Sequence, residues 1–344
     1  MIPSFPSTHA KRIRRRNGWI LAARVGLILV MLVVSMNTGL IRISPGGILR
    51  ILFGGGTARE HMVLFDFRLP RIVISLLVGA GLAVSGCILQ SLSHNGLADP
   101  GILGVNAGAS LVVVLFIAFY PSTTAAPLFF LPVLAFAGAA LTAFLIYRLS
   151  YHREEGLLPT RLLLVGIAVA AGISAVLIVL TLRLSPQNYD FVAKWLVGSV
   201  WGTNWSFVLA LLPWIVLLLP CAYFQARTLN VLQMGDSLAV GLGVALERKR
   251  LLLLAVAVGL AGSCVAVSGG IGFVGLIGPH LARRLVGPRH EILLPASALT
   301  GGLLLIIADT LGRVILPTSE IPTGIVVAVV GAPYFLYLLS RSKA

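Results

Sequence analysis

Charge is scarce in this chain of 344 residues: 11% are Asp, Glu, Lys or Arg, and acids number 11 against 26 Lys and Arg. A water-soluble globule of this length carries charge on about a quarter of its residues, so a soluble fold is excluded. Lysine is scarcer still. The four lysines all lack a preceding glycine, so the phosphate-cradling loop G-x-x-x-x-G-K-[ST] is missing, and with it a P-loop ATPase. There is no H-E-x-x-H zinc pair and no G-x-S-x-G elbow to accompany the six histidines, which removes the grounds for an intramembrane hydrolase. The three cysteines, Cys87, Cys221 and Cys264, have neither C-x-x-C nor metal-like spacing. They read as small apolar packing residues and imply no disulfide framework.

What is abundant is hydrocarbon: 58% of the residues are hydrophobic and the mean hydropathy is +1.00. Long continuous apolar runs dominate, and strand-like alternation is absent, so helices rather than a β-barrel satisfy the backbone in lipid. About 20 apolar residues cross roughly 30 Å of hydrocarbon. Divided on that basis, the chain is an all-α polytopic membrane protein with spans at 19–40, 69–92, 99–119, 127–148, 161–182, 194–222, 251–268, 272–286, 292–312 and 322–340. The third and eighth are short and Gly-rich, as expected of tilted or partial helices inside the bundle. The basic segment 1–18 forms a tail before the membrane-spanning body at 19–340, and 341–344 forms a second tail.

Counting Lys and Arg in the connections gives 17 on the side of the N-terminus and 8 on the other, with Arg24 left in the first span. The positive-inside rule then puts both termini in the cytoplasm. The same spreading of the +15 net charge over many loops excludes a nucleic-acid-binding face. Arg24 is near enough to its helix start to snorkel toward the headgroups. Ala-Val-Ser-Gly occurs at 83–86 and at 266–269 in spans of opposite direction, the trace an inverted repeat leaves. Gly270, Gly272 and Gly275 satisfy G-x-G-x-x-G, but no strand precedes them, and in an apolar span small residues serve close helix approach.

Four places carry polar chemistry. Arg68 and Arg71, three residues apart around Pro70, share one face of the opening turn of the second span, a paired positive rim facing either an acidic partner or lipid phosphates. Asp309 and Arg313 have the acid-before-base spacing of an ion pair along one helix face. Asp99-Pro100 is a helix-start pair, and the polar turn before it, with His94, Asn95 and Leu97, either connects two helices or constricts a pathway. In the long connection TLNVLQMGDSLAVGLGVALERKR, Leu229, Leu232, Met234, Leu238 and Leu242 recur at near-helical intervals. Gly235 and Gly243 divide it into two short amphipathic helices, the second capped by Asp236, suited to a partner's groove or to lipid headgroups.

Five segments taken together, RLPR at 68–71, NGLADPGILGVNAG at 95–108, LNVLQMGDSLAVGLGV at 229–244, SGGIGFVGLIGPHLARRLVG at 268–287, and ADTLGR with EIPTGI at 308–325, resemble the FecCD family. These are permease subunits of ATP-binding-cassette importers for iron–siderophore complexes, haem and cobalamin. The resemblance implies ten spans per subunit, two permease subunits, identical or paralogous, around one pathway, and two separate ATPase subunits that carry ATP and Mg. It implies no cofactor or metal on this chain and no bond chemistry. Arg68, Arg71 and Arg313 correspond to the arginines that dock an extracytoplasmic substrate-binding protein, and Asn95 and Leu97 to the cytoplasmic gate. Leu232, Gly235, Asp236, Leu242 and Gly243, within 229–243, correspond to the helices that couple to the ATPases. Gly96 stands where the family usually has Pro, which loosens the gate turn. The expectation is therefore a prokaryotic cell-membrane permease that moves an iron chelate, above all a ferric siderophore. Haem or cobalamin as cargo, or a gradient-driven secondary transporter, are the alternatives.

Overall fold

A computed structural model describes residues 7–38, 44–119, 130–153, 156–315 and 320–341. Helices make up almost all of it. In chain order they are α1 (Ser7–Asn37), α2 (Pro45–Leu52), α3 (Ala58–His61), a π-helical segment Met62–Arg68, α4 (Leu69–Leu92), a 3₁₀ turn Pro100–Leu103, α5 (Val105–Phe119), α6 (Phe130–Ser150), α7 (Pro159–Thr181), α8 (Pro186–Val197), α9 (Trp205–Phe224), α10 (Ala226–Leu232), α11 (Asp236–Gly241), α12 (Leu246–Ser268), α13 (Val274–Val286), α14 (His290–Ile315) and α15 (Thr323–Arg341). Two-residue strands, Tyr151–His152 and Gly156–Leu157, pair in an antiparallel hairpin between α6 and α7.

Eight of these helices are long and apolar enough to cross a membrane, and α5 is a shorter apolar helix. The remaining member of the expected ten, α13, has 13 residues, about 20 Å of rise. It is too short to span and sits among α4, α14 and α15. The expected short third and eighth spans are thus partial helices. The third begins later than expected: Asp99 accepts from the Gly101 amide at 2.8 Å and caps the 3₁₀ turn, and α5 starts only after Gly104 at φ +68°.

Two other expectations need correction. The run 194–222 is not one helix. Residues 198–204 separate α8 from α9, with Gly198 at φ +86° and Asn204 accepting from the amides of Ser206 and Phe207 to start α9. Arg24 does not snorkel. Helix α1 already runs from Ser7, so Arg24 is deep within it, buried, and donates to Thr300 and to the Ala296 carbonyl of α14.

The core is organised around α4, which is buried over most of its window while α1, α7 and α9 bury little. Its main partner, α14, runs antiparallel to it: Arg71 meets Asp309, Gly79 meets Gly301, and Ser91 meets His290. Glycine is required at the middle of this pair, because a Cβ on Gly79 would collide with the Gly301 backbone, and one on Gly301 with that of Gly79. Gly86 makes the same kind of approach to Gly275 of α13. In hydrocarbon, where association depends on packing rather than on water, such close approach supplies the dispersion energy of the interface. Cys87 and Cys264 are buried and Cys221 is half-buried, all three as free thiols.

Candidate functional site

Polar side chains gather at the two ends of the α4–α14 pair, which are about 36 Å apart along the 24 residues of α4. At one end, the opening of α4, the last turns of α14 and the segment before α15 bring together three buried guanidiniums, the buried carboxylate of Asp309 and the more accessible one of Glu320. Arg71 Nε donates to Asp309 Oδ1 at 2.9 Å and its Nη1 to Glu320 Oε2 at 2.6 Å. Arg313 Nη2 lies 3.2 Å from Asp309 Oδ2 and also binds Ser35 of α1, whose carbonyl receives Nη1 at 3.3 Å. Arg68 donates to the Met36 carbonyl, and Thr323 donates to Asp309 Oδ1 at 3.4 Å.

The expected rim is therefore not an open one. Arg68, Arg71 and Arg313 are all buried, as is Asp309, and the acids facing them belong to the same chain. The physical reason is desolvation: a guanidinium at the edge of hydrocarbon is stable when carboxylates and carbonyls replace its water. Asp309 and Arg313 do form the expected ion pair, with Arg71 as its third member. Glu320 opens the EIPTGI segment. Its pairing depends on residues 249 positions apart, which no local pattern reports. Its side chain keeps 34% of its accessibility, the most exposed carboxylate of the cluster. The π-helical segment that delivers Arg68 follows a capping box, in which Thr57 and Glu60 bond each other's backbone amides. T-A-R-E before an apolar run is the sequence signature that would have located it.

At the other end the polar turn and the short helices lie side by side with the start of α14. His94 adopts φ +50°, and the Asn95 carboxamide oxygen accepts from the Leu97 amide at 2.9 Å, closing an Asx turn. Asn95 and Gly96 are exposed, while Leu97 packs against the apolar cluster that Leu276 and Ile277 of α13 form with Leu338 of α15. Gln90 of α4 reaches the Gly275 carbonyl at 3.2 Å, fixing the start of α13 beside this turn.

The long connection folds as the two short helices expected, α10 and α11, divided by Gly235 at φ +103° and closed by Gly243 at φ +78°. Its leucines separate into two faces. Leu229 and Leu232 are buried against the bundle, whereas Met234, Leu238 and Leu242 are 60%, 54% and 64% exposed. Asp236 does not cap α11. It is the first helical residue, after Gly235 in the cap position, and its carboxylate binds Arg250 of α12 at 2.7 Å. Asn230 of α10 and His290 form a half-buried hydrogen-bonded contact that sequence reasoning missed, since the two residues lie 60 positions apart.

Comparison with known proteins agrees with this geometry along nearly the whole chain. The profile of the FecCD transport family matches residues 27–341. The iron(3+)-hydroxamate import system permease protein FhuG of Bacillus subtilis is 53% identical over 328 residues, 94% of this chain and 97% of that protein. The hemin transport system permease protein HmuU of Yersinia pestis is 39% identical over 326 residues, 93% and 96% of the two chains. A solved metal-chelate type ABC transporter in an inward-facing conformation superposes with a TM-score of 0.83 at 30% identity, covering 94% of this chain and 99% of that one. A frame of membrane helices without a nucleotide loop, matched from end to end, shows that this chain belongs to the FecCD transport family, as a cell-membrane permease subunit of an ABC importer whose ATP hydrolysis resides on a separate ATPase.

Proposed function

We propose that this permease carries an iron chelate, specifically a ferric siderophore of the hydroxamate class, into the cytoplasm by alternating access. The observation that supports this cargo is the 53% identity to an iron(3+)-hydroxamate permease over 94% of the chain. Two permease subunits, this chain twice or with a paralogue, enclose the pathway, and two ATPase subunits carry ATP and Mg. This chain holds no cofactor of its own. Both termini are cytoplasmic, with 1–18 and 341–344 as tails. The arginine cluster is then the extracytoplasmic end, and the polar turn with α10 and α11 the cytoplasmic one.

The arginines receive a cargo-loaded binding protein by exchange. Arg71 holds Glu320 at 2.6 Å and Glu320 is partly accessible, so an incoming carboxylate replaces an existing ion pair rather than filling an empty one. Asn95 and Leu97 form the inner gate, since Leu97 packs on the apolar cluster shared by α13 and α15. The exposed apolar side chains in and beside α11, Met234, Leu238 and Leu242, are the ATPase contact, shaped by Gly235 and Gly243 and by Asp236 held on Arg250. Leu232 anchors α10 from below.

The deciding experiment is reconstitution of the permease with its ATPase and binding protein in vesicles, followed by uptake of iron-55 bound to hydroxamate, citrate or haem. ATP-dependent uptake of the ferric hydroxamate in preference to the others is expected. Preference for haem reverses the cargo assignment, and uptake driven by an ion gradient without ATP removes the importer mechanism.

A further inference from the structure

Asn230 of α10 lies beneath the first residue of α14. Its carboxamide oxygen accepts from the His290 amide at 2.9 Å and faces His290 Nδ1 at 2.8 Å, while its Nδ2 donates to Glu291 Oε2 at 2.9 Å. A backbone amide can only donate and a carboxylate can only accept, so the orientation of the carboxamide is determined from both sides. Nδ1, facing an oxygen, must then carry the imidazole proton, and Nε2 is left as an acceptor. Nε2 lies 2.7 Å from the Ser91 hydroxyl in the last turn of α4, whose single proton is shared between Nε2 and the Cys87 carbonyl at 2.8 Å. Gln233, just past α10, donates to the same hydroxyl at 3.5 Å. His290 is fully buried.

We propose that His290 is a positioning residue that makes α10, the start of α14 and the end of α4 move as one unit, through the chain Asn230–His290–Ser91. The proposal rests on the reading of 229–243 as the ATPase contact. Leu229 and Leu232 also hold α10 to the bundle, but apolar contacts are non-directional and permit sliding. Hydrogen bonds are directional, and breaking this chain at its buried His290–Ser91 link leaves unsatisfied groups away from water. Displacement of α10 by the ATPase is thereby delivered to both helices of the pair whose far end carries Arg71 and Asp309.

The test uses the whole importer in vesicles and reads three quantities: ATPase copurified with the permease, ATP hydrolysed, and chelate taken up. His290→Leu and Ser91→Ala are expected to keep the ATPase bound and hydrolysing while uptake per ATP falls about fivefold, the size of one net hydrogen bond. Asn230→Leu combined with Ser91→Ala is expected to lose no more than the worse single variant, as residues of one chain do. His290→Gln, whose carboxamide both donates and accepts, is expected to restore uptake per ATP. Hydrolysis and uptake falling in proportion, or losses that add in the double variant, overturn the proposal. Should His290→Leu fail to assemble, Ser91→Ala, which removes one oxygen, decides it. Leu238→Asp serves as the control for the underlying reading: it is expected to release the ATPase. Retention of the ATPase by that variant sinks the contact assignment, and the proposal with it, whereas failure of the proposal alone shows as proportional losses with the ATPase still attached.

Discussion

At the arginine end, every guanidinium of the cluster is buried and engaged inside the chain, Arg71 by Asp309 and Glu320, Arg313 by Asp309 and Ser35, Arg68 by Met36. At the α10–α11 end, the polar groups are likewise paired, Asp236 with Arg250 and Asn230 with His290, but Met234, Leu238 and Leu242 project outward. The difference is one of what a partner must displace. A protein docking at the arginines has to exchange one ion pair for another, so its binding is sensitive to charge and to salt and close to balanced in energy. A protein docking at α11 only has to cover hydrocarbon, about 25 cal/mol for each Å² removed from water. On the proposed assignments, the first contact is suited to reversible delivery and the second to a lasting attachment.

The contrast is broken most severely at Asp309. Asp309→Ala leaves Arg313 without its carboxylate contact and Arg71 with Glu320 alone, and removing one partner of a buried pair costs about 3–5 kcal/mol. A large drop in the thermal midpoint of the purified permease is expected, with Asp309→Asn intermediate. An unchanged midpoint would mean that the cluster does not depend on this charge. Glu320→Gln, by contrast, removes only the accessible carboxylate. It is expected to leave the midpoint near that of the native chain and to tighten binding-protein association, because Arg71 is then free of its internal competitor. Arg71→Glu with Arg68→Glu should abolish that association, and association persisting in the double reversal would remove their docking role.

A smaller effect tests the inner end. Gly235 and Gly243 have φ of +103° and +78° with open space around their Cβ positions, so alanine there suffers conformational strain of about 1–2 kcal/mol and no collision. ATP hydrolysis stimulated by loaded binding protein is expected to fall in Gly235→Ala while permease abundance stays level. Equal stimulation would show that the bend between α10 and α11 does not set the contact.

These two ends were unequally legible in the sequence. Apolar run length located nearly every membrane helix, because crossing hydrocarbon is a local demand on consecutive residues. It failed at 194–222, where Gly198 and Asn204 divide an otherwise apolar stretch into α8 and α9. The short helices α10 and α11 were also readable, since glycine spacing and leucine period are local signals. Asp236 was misassigned because a helix-start acid has two possible partners, its own helix amides or a distant cation, and Arg250 lies on a different helix. The arginine end was least readable for the same reason enlarged. RLPR announces two cations but is silent on Asp309 and Glu320, brought within 3 Å of Arg71 by the antiparallel run of α4 and α14 and by the segment that leads into α15.

Gly96 offers the finest test, because it departs from the family pattern at the turn assigned to the gate. Its φ lies outside the left-handed region and an added Cβ meets nothing within 4 Å, so neither backbone conformation nor packing requires glycine. The turn is held instead by the Asn95 carboxamide on the Leu97 amide at 2.9 Å and by the seat of Leu97 against α13 and α15. Gly96→Ala is therefore expected to raise the thermal midpoint slightly, by the roughly 0.4–1 kcal/mol that restricting the unfolded chain provides, with uptake unchanged. Asn95→Ala, which opens the Asx turn, should instead increase leakage of chelate through vesicles lacking ATP. If Gly96→Ala leaks as well, the looseness of that residue is itself part of the gate, and the turn cannot be treated as rigid.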